Sequence, residues 1–75
     1  MTENLLARVA GLELLVEHLI LERVMLTESP ADALRQAMGG MTQLASERPD
    51  TPHEAVGAIA DVLARVMERV IARER

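Results

Sequence analysis

The segment from Leu5 to Leu26 constrains this chain more than any other, because it carries more large aliphatic side chains than one helix face can hold. Leu5, Val9, Leu12, Val16, Leu19, Arg23 and Leu26 follow one another at alternating steps of four and three, the heptad rhythm of a seam between helices. Val stands at a positions and Leu at d positions, with Arg23 as the one charged residue at an a position. That combination favours two parallel strands in a fixed register.

A second apolar stripe, Ala7, Leu14, Leu21 and Met25, lies nearly opposite the first at roughly 100° per residue. Two polar arcs divide the stripes, one with Arg8, His18 and Glu22, the other with Glu13 and Glu17, and both are expected to face solvent. A surface helix of a monomer needs only one apolar stripe. This helix is therefore expected to be sandwiched, with another part of the chain on one stripe and a second copy on the other.

Size points the same way. A chain of 75 residues buries only about 60% of the surface its unfolded form exposes, and domains this small usually need a staple or a partner. With no Cys, disulfides and thiolate metal sites are excluded, so oligomerisation is the ordinary route left. The absence of Phe, Tyr and Trp leaves a core of Leu, Val, Ile, Met and Ala. It also argues against recognition modes that use ring faces, such as base stacking.

The formal charge of −4 disfavours unspecific attraction to nucleic acid or anionic membrane. Leu5–Leu26 is long enough to span a bilayer, but Arg8, Glu13, Glu17, His18, Glu22 and Arg23 interrupt it, and charge at bilayer depth is costly. The opening residues Met1-Thr2-Glu3-Asn4 lack the basic region of a secretory signal. A cytoplasmic location without membrane contact is expected.

Local signals predict three helices within a single domain of residues 1–75, spanning about 3–27, 30–46 and 52–73. Thr2 or Asn4 is placed to cap the first, and Ser29-Pro30 ends it, because Pro disfavours helical geometry in the residue before it. Ser29 as N-cap, Pro30 at N1 and Asp32 at N3 open the second helix, which carries Leu34, Ala37, Met38, Met41, Leu44 and Ala45 on one side. Gly39-Gly40 weakens that helix, yet the apolar spacing keeps its phase across the pair, so continuity is expected. Thr51, Pro52 and Glu54 form a capping box for the third helix. Its stripe, Val56, Ile59, Leu63, Val66 and Val70, is expected to cover the second stripe of the first helix.

Residues with chemical potential give little. His18 and His53 stand far apart, and Glu17, His18 and Glu22 on one helix are a weak zinc set without Cys. Neither Ser29 nor Ser46 sits in a strand-to-helix nucleophile setting, and no enzyme activity, metal or cofactor is expected. Arg65, Arg69 and Arg73 form a row that reads as a salt-bridged face, with Arg65 pairing to Asp61 and Glu68 along its own helix. The methionines Met25, Met38, Met41 and Met67 serve gap-filling in a core without aromatics, or an adaptable groove where exposed.

The resulting expectation is an all-α chain of three helices, long-short-long and antiparallel, forming a helical-bundle homodimer through Leu5, Val9, Leu12, Val16, Leu19, Arg23 and Leu26. Its expected role is a non-enzymatic interaction module, a small adaptor or regulator whose partners are itself and another protein. Met38, Gly39, Gly40 and Met41 are the candidate partner groove. The competing reading is a nucleic-acid-associated regulator that uses the Arg row across a dimer.

Overall fold

A computed structural model describes residues 2–74, the side chain of Thr2 excepted. The described residues form three helices and no strand: α1 Thr2–Met25, α2 Pro30–Glu47 and α3 His53–Glu74, each packed against the other two.

The helix ends follow from local chemistry, with some adjustments. α1 stops at Met25 rather than at 26 or 27. Its last turn tightens there, with Leu26 N–H donating to the Arg23 carbonyl at 3.3 Å and Thr27 N–H to the Val24 carbonyl at 3.0 Å. The Thr27 hydroxyl donates to the same Val24 carbonyl at 2.6 Å, and these i to i−3 bonds satisfy carbonyls that a continuing helix would have used. Of the two expected caps of α1, Asn4 lies inside the helix, and the Thr2 side chain falls outside the described residues, as does Arg75 at the far end.

Ser29 takes the N-cap position of α2, but its hydroxyl makes no cap bond to the backbone. It donates instead to the Asp32 carboxylate at 3.0 Å, which also accepts from Arg35 at 2.8 Å. Helix α2 runs unbroken through Gly39-Gly40. At α3 the first full helical bond joins Val56 N–H to the Pro52 carbonyl at 3.3 Å, so Pro52 holds the capping place expected of Thr51. Thr51 is engaged elsewhere, its N–H closing a turn on the Arg48 carbonyl at 3.0 Å.

The buried core is small and lies toward one end. Leu21 and Val24 of α1, Leu34 of α2 and Leu63, Val66 and Val70 of α3 form it, with Ile20, Met25, Met38, Met41 and Met67 packed around them. From α3, Leu63, Val66 and Val70 reach the core as their spacing predicts, whereas Val56 and Ile59 stay more than a third exposed.

The face of α1 that α3 covers is not the expected one. Of the stripe Ala7, Leu14, Leu21 and Met25, only Leu21 and Met25 reach the core, while Ala7 and Leu14 are exposed. The core lies toward the Leu21 end of α1, and Leu14 and Ala7 stand successively farther from it along the helix. The face actually used runs through Glu13, Glu17, Ile20, Leu21 and Val24, and the expected solvation of the Glu13–Glu17 arc is thereby corrected. Glu17 is only 4% exposed.

The chain is also thin. Its extents are 41 × 30 × 15 Å and its radius of gyration is 13.7 Å, against about 11 Å for a compact domain of this length. The accessible surface of 5978 Å² exceeds the roughly 4500 Å² typical of a folded monomer of 8.2 kDa. A surplus on the order of 1400 Å² therefore remains uncovered.

Candidate functional site

The uncovered surface is concentrated on α1 and the adjoining parts of α2 and α3. Seam residues Leu5, Val9, Leu12, Val16, Leu19 and Leu26 are all exposed, Val9 least at 44% and Leu26 most at 84%, and Arg23 is exposed beside them. The α1 side chains that form or pack on the core, Ile20, Leu21, Val24 and Met25, lie outside this set.

Three of the seam residues do more than stand in solvent. Val9, Leu12 and Val16 form one wall of an apolar groove of about 460 Å³, completed by Ile20 of α1, Met41 of α2 and Ala58, Ile59, Val62 and Leu63 of α3. Glu13 is the one charged residue on its lining. The groove opens because α2 supplies little bulk at this level: after Met38 come Gly39 and Gly40, and Met41 is the side chain that reaches across. Ile59 and Val62 are parts of this wall that periodicity alone did not assign to it.

The four residues of the expected partner groove do not share one surface. Met38 and Met41 turn inward and pack on the core, and both line a second, smaller hollow of about 250 Å³ between α2 and α3. Gly39 and Gly40 are exposed on the other side, and a Cβ added at either meets nothing within 4 Å. Among the described residues no helix uses the glycines for close approach.

Beside the groove lies a long-range polar cluster. Arg65 Nε donates to Glu17 Oε2 at 2.9 Å, and Arg65 Nη2 donates to Glu13 Oε2 at 3.4 Å. Arg69 Nη2 stands 3.8 Å from Glu17 Oε1, an ion-pair distance beyond hydrogen-bond reach, and that buried oxygen has no hydrogen-bond partner. The hydrogen bond to Glu17 is the main cause that raises the Arg65 guanidinium above its ordinary pKa, with the charges of Glu17, Glu13 and Asp61 adding to it. Arg65 is thus a permanent cation that lets a carboxylate enter the helix interface.

This corrects the expectation that Arg65 pairs with Asp61 and Glu68 on its own helix. Neighbours three or four apart on an exposed helix offer only a few tenths of a kcal/mol, whereas the partly desolvated carboxylate of Glu17 gives a stronger, charge-assisted bond. The spacing, though not the pairing, is visible in sequence: Glu13 and Glu17 stand at i and i+4 in phase with Leu21 and Val24, and Arg65 and Arg69 repeat the spacing on α3.

The Arg row is accordingly divided. Arg65 and Arg69 turn toward carboxylates of α1, and Arg73 makes no ion pair among the described residues. His18 Nε2 lies 3.0 Å from Glu22 Oε1 in an exposed i, i+4 pair. Among the described residues no three His, Asp or Glu side chains converge on a metal-sized site, and no helix is long and apolar enough to cross a membrane. Comparison with protein-family models, with curated proteins and with solved structures finds no match for this chain.

Proposed function

We propose that the chain is a non-enzymatic, homo-oligomeric interaction module whose working unit is a homodimer built on the seam of α1. The observation that carries this reading is the surplus of accessible surface, on the order of 1400 Å² per chain. Stable interfaces bury about 800 Å² per partner, and obligate homodimers more. Among the exposed apolar side chains of α1 is a row with heptad spacing, a pattern suited to receiving another helix. In this reading the short connections at 26–29 and 48–52 turn each helix of a protomer back on the one before it. The dimer presents its remaining faces to another protein as a small adaptor or regulator.

Solution mass measured against concentration tests the reading. The unaltered chain should be a dimer at micromolar concentration, and Leu12→Asp or Val16→Asp should shift it to monomer, because each places a charge in the seam. A chain that stays monomeric throughout the accessible range would sink the proposal.

A further inference from the structure

We infer that the partner of α1 is the α1 helix of a second copy running in the opposite direction, in the register that sets Leu12 against the partner's Val16. This inference rests on the homodimer reading and goes beyond it in direction and register.

The argument begins with the charges flanking the seam. Val at a and Leu at d alone favour parallel helices, but parallel packing layers each a residue on its own copy and brings Arg23 against Arg23. No carboxylate of the same chain pairs with Arg23 among the described residues. In the antiparallel register, Val9 meets Leu19 and Arg23 meets Leu5 at the end of the seam, where its guanidinium reaches water.

On one flank of the seam stand the g positions Arg8, Leu15 and Glu22. Antiparallel packing brings g to g, so Arg8 of each copy faces Glu22 of the other, and the two Leu15 side chains meet between them. Arg8 has no ion pair among the described residues, and Glu22 holds only the exposed contact to His18, which leaves carboxylate lone pairs free. A shift of one heptad either way sets Arg8 or Glu22 against Leu15, so charge selects a single register.

The other flank is the groove side, where Glu13 lies over α3. Antiparallel packing brings the two Glu13 residues to the same side, and each already carries Arg65 of its own chain, which offsets their repulsion. A helix laid along Val9, Leu12 and Val16 on this side also covers Ile59, which the fold of one chain leaves 37% exposed on the groove wall. A two-fold arrangement makes the same match twice with one patch, as a closed dimer requires.

The chain has no Cys, so introduced thiols report cleanly. Val9→Cys and Leu19→Cys chains are oxidised separately and as an equal mixture, both sites being exposed and outside the core. The expected result is a disulfide between unlike chains in the mixture and little in either chain alone. In the antiparallel register like positions lie about 15 Å apart along the helix, far beyond the roughly 4.4–6.8 Å between Cα atoms that a disulfide spans.

Bridging of either variant with itself would establish parallel helices and overturn the inference while leaving the dimer intact. A dimeric mass with no bridge in any sample would place the interface off the seam and overturn it too. A monomer at all concentrations would remove the underlying dimer reading as well. As a second readout, Arg8→Glu and Glu22→Arg should each weaken association by roughly tenfold, through two pairs per dimer, and the double reversal should restore it. Failure of the double variant to recover would overturn the register.

Discussion

The two ends of the same helices differ in burial far more than in hydrophobicity. At one end Leu21, Leu34, Val66 and Val70 are sealed from solvent. At the other, Val9, Leu12 and Ile59 border an open groove. The difference lies in the third element. Leu34 at the start of α2 fills the gap between α1 and α3, whereas the stretch from Gly39 onward offers glycines, Thr42 and Ala45, with Met41 packed on the core and Leu44 left 39% exposed. Apolar residues on two helices do not make a core until a third supplies bulk between them.

The largest test of this contrast pairs a buried Leu with an exposed one. Leu34→Ala should lower stability by about 2–5 kcal/mol, through lost transfer energy and the cavity left behind. Leu12→Ala, at a site 61% exposed, should change the stability of the dilute monomer by no more than about 0.5 kcal/mol. Denaturant melts read both. A large loss for Leu12→Ala that persists at the lowest concentrations would mean the groove is closed in the single chain, and the contrast would fall.

A smaller effect is expected where the two ends meet, at Glu17. Glu17→Ala should cost roughly 1–2 kcal/mol, through the one buried methylene it removes, at about 0.8 kcal/mol, and the cavity left in place of the carboxylate. Glu17→Leu should hold or raise the melting temperature, because it fills the same space with apolar atoms and releases Arg65, a half-exposed side chain, to Glu13 and water. A Glu17→Leu chain clearly less stable than the unaltered one would show that the ion pair, rather than packing, holds α1 to α3.

The smallest change sharpens the open end. Gly40→Ala should stabilise the chain by about 0.5–1 kcal/mol, since the position is helical and a Cβ there meets nothing within 4 Å. If the same variant weakens association, as read by solution mass, the glycines touch a partner's backbone. Unchanged association would confine the interface to the face of Val9 and Leu12.

The helices were legible in sequence because their limits are local. Pro30 and Pro52 act within a turn or two of themselves, and the phase of Met38 and Met41 across Gly39-Gly40 needed no distant contact to be read. The three-helix, all-α architecture followed from those signals. The exposed seam was legible as surplus, since no single helix can bury stripes on opposite faces against one neighbour.

What only the tertiary structure decided is which face of α1 turns inward. Periodicity ranked Ala7, Leu14, Leu21 and Met25 as the covered stripe because it weighs apolar side chains and treats carboxylates as solvated. The face chosen contains Glu17, whose charge is met by Arg65 from 48 residues away. That pairing changes the cost of burying a carboxylate, and no local pattern contains it. Sequence alone thus determined the helices and the excess of apolar surface, while the packing of α1 on α3, with Glu17 and Arg65 paired across it, left Val9, Leu12 and Val16 facing out.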